Sequence, residues 1–435
     1  MKRKIDGHLE AWRDSHGRKV LLVRGARQVG KTYSIRRLGQ TFETFLEVNF
    51  EEDPRLASFL EGSLNPAEIN QKLTAYSGVS LHPGKSLLFF DEIQACPNAI
   101  RALRFYHEKM PDLHVIAAGS MLEFALSEIP SFGVGRISSL FLYPLSFREY
   151  LWAAGREELD QLAQNANPSR PLDDVLHREL LEKFRIYQVL GGMPAVIAAF
   201  VAGSDLPSCQ KIIDELVTTL QDDFSKYKKK SPVTRLMEIF RSAAQQAGGK
   251  FQYSKVAQGE AIHGYKTALE LLAKAGLAYR VYHTAASGIP LGAQINPKKF
   301  KVILFDLGIH QRLLGLDLSD HMLKKPIELI SKGNLAELFV GLELLAYHDP
   351  GIRPDLFYWH REARASTAEV DYVIQKGDKI CPIEVKAGTK GGMRSLFLFL
   401  EAKGIASGIR FSHENFTRTE KAEVIPIYAV ATLFK

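Results

Sequence analysis

A chain of 435 residues holds roughly two to four domains of ~100 to 200 residues, each large enough to bury its own core. Hydrophobic residues make up 46% and charged residues 24%, the composition of a soluble globular protein, which excludes both a disordered chain and a membrane-embedded one. The formal net charge of +7 favours an anionic partner, either nucleic acid or an acidic surface.

The amino-terminal MKRKIDGHLEAWRD is basic but lacks the apolar core of a signal peptide, and no apolar run reaches the ~20 residues that span a bilayer. Cys96, Cys209 and Cys381 are far apart with no CxxC spacing, so neither a structural zinc nor a disulfide framework is indicated. These features predict a cytoplasmic protein that avoids the membrane.

From Val20 to about Tyr143 the runs VLLV, FLEVNF, SLLFFDE, HVIAAGS and ISSLFLYPL alternate with amphipathic stretches, which predicts an α/β core with a parallel sheet over residues 1–155. VLLV and LLFF are apolar on consecutive residues, as strands buried on both faces are. The polar stretch 156–170 reads as a loop or helix connection, and helical patterns follow over 171–230, interrupted by a turn at Gly191, Gly192 and Pro194. Within 231–330 the segments MEIFRSAAQQA, SKVAQGEA and GYKTALELLAKAG precede the β-rich LAYRVYH. Three short helices and a ribbon suggest a winged helix-turn-helix, or a helical spacer that never touches DNA. Over 331–435 the order is helix (NLAELFVGLELLAY), three strands (LFYWHR, AEVDYVIQ, KICPIEVK), helix, and two strands (SGIRFS, EVIPIYAV), a separate α/β domain. Lys226 with Lys228, Lys229 and Lys230, and Lys298 with Lys299 and Lys301, form basic clusters at element edges, to be read as phosphate-binding patches or as solvated surface.

Gly25, Ala26, Arg27, Gln28, Val29, Gly30, Lys31 and Thr32 match GxxxxGK[ST] in full, directly after a predicted strand and before a helical pattern. Glycines allow the tight loop, successive backbone N–H groups and the helix N-terminus hold phosphate, and Lys31 reaches the outer phosphates of ATP. Thr32 is the expected Mg²⁺ ligand. In SLLFFDE, four apolar residues deliver Asp91 to a strand end beside the phosphates, where it holds Mg²⁺ through water or Thr32, and Glu92 orients and deprotonates the attacking water. Ser120 ends the next strand, placed either to reach the γ-phosphate or to cap the following helix. Arg136 in FGVGRISS is either a surface residue or a guanidinium offered to a neighbouring subunit, in which case the chain is a homo-oligomer.

VRGARQVGKTY, the DEIQ after LLFF, AGS, GVGRISSLFLYPLSFREY and GGMPAV together resemble the predicted AAA+ ATPases of bacteria and archaea that carry a C-terminal domain of uncharacterised function. The resemblance covers essentially the whole chain. It implies an AAA+ core, a helical lid over 171–230, a winged-helix-like middle and a C-terminal fold similar to restriction-endonuclease-like nucleases.

In that last domain Asp371 lies in AEVDYVIQ, and Glu384 and Lys386 lie in CPIEVK. Alternation puts Glu384 and Lys386 on one strand face, and a hairpin brings Asp371 beside them. Two carboxylates and a lysine are the parts of a Mg²⁺-dependent phosphodiesterase, with Glu337 on the preceding helix as a further metal ligand. The arrangement looks like the PD-(D/E)XK nuclease pattern, with Val370 where that pattern has proline; a charged patch is the other reading. Three functions follow: an ATPase working on nucleic acid, a nucleotide-gated signalling or defence switch, and an ATP-dependent remodeller of a protein partner that uses the nuclease-like fold for docking.

Overall fold

The computed structural model describes residues 1–120, 122–128, 135–228, 230–256, 262–318, 332–361, 368–389 and 391–434. They divide into two compact bodies, 2–143 with 349–353, and 144–348 with 354–435.

The first body opens on α1 (Lys4–Asp14) and is built on β1 (Val20–Arg24), α2 (Lys31–Gly39), β2 (Thr44–Asn49), α3 (Pro66–Ser77), β3 (Ser86–Asp91), α4 (Pro97–Lys109), β4 (His114–Ala118), α5 (Leu122–Glu128) and β5 (Ile137–Phe141). The five strands form one sheet in the order β2-β3-β4-β1-β5, with every pairing parallel. Strands β3 and β4 are buried at every position, which is why LLFF and VIAA read as unbroken apolar runs. A parallel sheet of this kind gathers the loops after its strands at one edge, where ligands bind in open α/β folds.

The second body begins with α6 (Phe147–Ala153), α7 (Glu157–Asn165), α8 (Asp174–Leu190), α9 (Pro194–Val201), α10 (Leu206–Asp222), α11 (Val233–Gln245) and α12 (Ile262–Lys274). The polar stretch expected as a connection thus contains α7, a helix whose acidic first turn, Glu157, Glu158 and Asp160, suits its N-terminus. The segment SKVAQGEA falls partly outside the described residues, and the part described holds one 3-10 turn, Tyr253–Lys255. There follow β6 (Ala278–Thr284), β7 (Ile295–Leu304), α13 (Leu307–Leu313), α14 (Lys332–Tyr347), β8 (Leu356–His360), β9 (Glu369–Lys376), β10 (Lys379–Val385), α15 (Arg394–Lys403), β11 (Gly408–Ser412), β12 (Thr417–Arg418) and β13 (Ala422–Pro426). The sheet of this body is mixed and eight-stranded, in the order β12-β13-β11-β10-β9-β8-β6-β7. The ribbon β6–β7 is not a free-standing wing: β6 pairs in parallel with β8, so one sheet runs across the expected boundary at residue 330. The last predicted strand stops early. Pro426 ends β13, and IYAV enters a 3-10 helix, Ile427–Phe434, because proline brings no N–H to continue a ladder.

PLSFREY and GGMP serve packing here. Ser146 caps α6 reciprocally with Glu149, and Arg148 forms a forked ion pair with buried Asp160. The Gly192 N–H donates to Asp306 Oδ2 at 2.6 Å, and the Gly192 carbonyl accepts from Leu145 N–H at 2.7 Å. On α14, Glu343 Oε1 accepts from Phe147 N–H at 2.9 Å. Burial pushes the Glu343 carboxyl up to about 8, with Tyr347, Glu149 and Arg148 as its titratable neighbours. A folded-state pKa above the unfolded value of 4.5 contributes stability that is present at low pH and lost as pH rises towards 8. Glu343→Gln keeps the acceptor for Phe147, so it is expected to flatten the fall in unfolding free energy across that window, by up to about 1.4 kcal/mol per pH unit for one proton. Denaturant melts at a series of pH values check this, and parallel slopes for the two proteins would remove Glu343 as the cause.

Candidate functional site

The loop from Gly25 to Thr32 joins β1 to α2. Gly30 is the N-cap of α2 at φ 97°, a left-handed conformation that glycine adopts without steric cost. Lys31 is buried, and its Nζ donates to the carbonyls of Gly25 and Ala26 at 2.9 and 2.8 Å. Burial lowers its pKa to about 8, against the pull of the Glu92 and Asp91 charges. The Thr32 hydroxyl donates to Asp91 Oδ2 at 3.0 Å, so the hydroxyl and carboxylate read as Mg²⁺ ligands meet at the end of β3. Burial pushes Asp91 up to about 6, and the Glu92 charge adds to the effect.

Glu92 sits at φ 46°, a left-handed conformation that costs a non-glycine residue energy and is more frequent at functional sites. Its Oε2 accepts from Gln94 Nε2 at 2.5 Å and from the Ser120 hydroxyl at 3.3 Å. Arg27 Nε in turn donates to Ser120 Oγ at 3.0 Å. A Cβ on Gly119 would stand 1.9 Å from Gln94 Oε1, so the glycine of HVIAAGS leaves room for the glutamine that holds Glu92. Ser120 therefore reaches Glu92 as well as standing at the end of β4.

Arg136 is placed elsewhere. It precedes β5, whose first residue Ile137 pairs with Val20 at the start of β1, while the phosphate loop follows the far end of β1. One strand length, about 16 Å at 3.3 Å per residue, separates the two edges. Arg136 Nε pairs with Glu108 Oε1 at 3.0 Å, and its side chain is 43% exposed.

In the second body, Asp371, Glu384 and Glu337 are brought together with Lys386, Glu369 and Lys301. Glu384 Oε1 accepts from Lys386 Nζ at 2.5 Å, and Asp371 Oδ2 accepts from Val385 N–H at 2.7 Å. Lys301 Nζ lies 2.6 Å from Glu337 Oε1 and 2.5 Å from Glu369 Oε1. Lys301, assigned from sequence to a basic edge cluster with Lys298 and Lys299, is fully buried, because β7 turns it toward α14. Among the described residues, no group of three or more His, Cys, Asp or Glu is arranged to hold a metal ion.

Residues 17–151 match the family model described as an AAA domain, 181–320 a domain of unknown function (DUF8612), and 332–430 a domain of unknown function (DUF4143). The chain carries an AAA-type ATPase domain and a C-terminal DUF4143 domain. An uncharacterised protein of Methanocaldococcus jannaschii is 24% identical over 302 residues, which are 65% of this chain and 60% of that protein. The match thus spans about 60% of the relative's length. A Walker-type ATPase of Pyrococcus abyssi aligns over 72% of this chain and 95% of its own at 16% identity, with a TM-score of 0.47. The ORC1 protein of Aeropyrum pernix, solved in complex with DNA, aligns over 72% and 92% at 11% identity, with a TM-score of 0.26.

Two residues to which the sequence reading gave no role shape this site. Arg3 is buried, and its guanidinium donates to Val29 O and Tyr143 O, both at 2.8 Å, so α1 braces the phosphate loop from behind. Gln94 is the other, through its bond to Glu92. The Q of DEIQ is the only sequence signal for Gln94, and a charged MKRK terminus offers none for Arg3. Among the described residues, no helix is long and apolar enough to cross a membrane.

Proposed function

We propose that this protein hydrolyses ATP at the loop Gly25 to Thr32 and couples the cycle to nucleic-acid binding in the cytosol. The observation that carries the reading is the meeting of Lys31, the Thr32–Asp91 pair and Glu92 at one edge of a parallel sheet. Backbone N–H groups of the loop and the N-terminus of α2 hold the phosphates, with Lys31 on the outer ones. Thr32 and Asp91 fit a Mg²⁺ ion, since a hydroxyl and a carboxylate already lie 3.0 Å apart there. Mg²⁺ held by Thr32 and Asp91 would supply positive charge against the negative charge that develops on the phosphates during transfer. Glu92 takes the proton of the attacking water, aligned by Ser120 and Gln94. Arg136 completes the site of a neighbouring copy, so the working unit is a homo-oligomer.

The nucleic-acid reading rests on charge and element order. Helices α11 and α12 followed by the β6–β7 ribbon have the order of a winged helix-turn-helix. Lys226, Lys228 and Lys230 are exposed, Lys226 beside Asp223 at 3.3 Å, while Lys229 lies outside the described residues. Replacing Lys228 and Lys230 by Gln is expected to flatten the slope of log K against log salt by about one unit for each phosphate that is no longer neutralised. DNA binding titrated over a salt series checks this, and an unchanged slope returns the pair to solvated surface.

The deciding experiment is the ATPase rate with and without duplex and single-stranded DNA. Stimulation supports the proposal. Slow turnover indifferent to DNA favours a nucleotide-gated switch, and a protein retained by an ATP-trapped Glu92→Gln variant favours a remodeller.

A further inference from the structure

The C-terminal cluster has the residues of a metal-dependent nuclease but a different occupant. Lys301 comes from β7, the edge strand of the mixed sheet, and is fully buried. Its ammonium lies within 2.6 Å of carboxylate oxygens on α14 and on β9, those of Glu337 and Glu369, and 5.1 Å from the Tyr358 ring centroid on β8. It therefore ties together the helix and strands that supply the acidic residues. Burial alone lowers the lysine pKa, but the charges of Glu337, Glu369 and Asp371 outweigh it and hold Lys301 above its ordinary value. Burial pushes Glu337 and Asp371 above the ordinary carboxylate range, each opposed by Lys301.

The donor set does not fit a hard divalent cation. Mg²⁺ demands near-ideal octahedral oxygen coordination. Here Glu337 and Glu369 each accept from Lys301, Glu384 accepts from Lys386, and Asp371 accepts from Val385 N–H. Glu384 Oε2 is buried without a hydrogen-bond partner, while one oxygen of each of the four carboxylates is already committed to an ammonium or a backbone N–H. A cation placed between Glu337 and Glu369 would meet the ammonium of Lys301, and two cations cannot share those oxygens without repulsion, which is little screened beside a fully buried lysine.

We propose that Lys301 is a built-in counter-cation standing in the place of a catalytic metal, so that the C-terminal domain is a metal-independent fold that engages its partner without cleaving phosphodiesters. Lysine suits this use. Its charge sits on a single atom at the end of a flexible stem, whereas the planar guanidinium of arginine spreads its charge over a fork. The ammonium arrives only because the β6–β7 ribbon is part of the same sheet, so the middle segment and the C-terminal segment share one core.

The probe is Mn²⁺, followed by loss of its free-ion paramagnetic resonance signal in nucleotide-free, full-length protein carrying Asp91→Asn, which keeps the AAA domain from contributing a metal site. The protein with Lys301 intact is expected to bind no Mn²⁺ and to leave DNA and RNA uncut. Lys301→Met is expected to gain a saturable Mn²⁺ site that Asp371→Asn removes again. Should Lys301→Met fail to fold, Lys301→Met with Glu369→Gln removes the ammonium together with one of its partners, and the same gain is expected. Mn²⁺ binding or cleavage by the protein with Lys301 intact, abolished by Asp371→Asn, would overturn the proposal. So would a folded Lys301 variant that gains no metal, since Lys301 would then not be what excludes it.

Discussion

Glu92→Gln is expected to bind ATP as tightly as the parent while turning it over ~10² to 10⁴-fold more slowly, the usual loss when a positioned general base is removed. Glutamine matches glutamate in shape, so the bonds from Gln94 and Ser120 that hold residue 92 can be kept on its carbonyl oxygen. What goes is the capacity to take a proton. Lys31→Ala should give the opposite pattern. The buried ammonium there organises the loop through the carbonyls of Gly25 and Ala26, and it is the positive charge proposed to meet the outer phosphates. Without it, affinity for ATP should fall below detection and turnover with it. Fluorescent-nucleotide titration alongside phosphate release separates the two phenotypes, and an equal loss of binding in both variants would contradict the roles assigned to them. Gln94→Ala is a useful companion, because it frees Glu92 without neutralising it.

The geometry of the candidate nucleotide site was legible because its physics is local. GxxxxGKT specifies a loop conformation, a helix start and a charge within eight residues, and SLLFFDE specifies a buried strand with a carboxylate at its end. Neither depends on what packs against it. Arg3 and Gln94 act through tertiary contacts, one bracing the loop from α1 and the other reaching back to Glu92 past Gly119, and no spacing rule announces such partners. Lys301 is the sharpest case. A lysine two residues from Lys299 in a basic run reads as surface, since lysine is almost never fully buried unless it is paired. Its partners, Glu337 and Glu369, lie 36 and 68 positions further along the chain, so the pairing that reverses the reading is invisible until the sheet is assembled. The same holds for the boundary placed at residue 330. The order of predicted elements placed it there, but the ladder between β6 and β8 crosses it, and pairing between strands so distant in the chain leaves no local trace.

Arg136→Ala is expected to leave ATP affinity nearly unchanged and to lower hydrolysis by ~10³-fold or more, the scale of an arginine supplied to the transition state. The expectation comes from where the residue cannot reach. It stands at the edge of the sheet where β5 begins, about a strand length from the phosphate loop of its own chain, so any contribution it makes to phosphoryl transfer goes to another copy. Its ion pair with Glu108 is partly exposed; such pairs contribute roughly 0 to 1 kcal/mol, little enough to be exchanged for a phosphate. Mixing Arg136→Ala with Lys31→Ala supplies the decisive readout. Each homomeric preparation is inactive, but a mixed assembly contains interfaces where an intact nucleotide loop faces an intact arginine, and part of the activity should return in proportion to the mixing ratio. Glu108→Gln separates the contribution of the pair from that of the finger, because it releases Arg136 without removing it and should leave turnover near the parent rate. A strictly monomeric protein that hydrolyses ATP normally as Arg136→Ala would return this residue to the surface and require the transition-state charge to be met from within one chain, with Arg27, which reaches Ser120 at 3.0 Å, as the guanidinium nearest to hand.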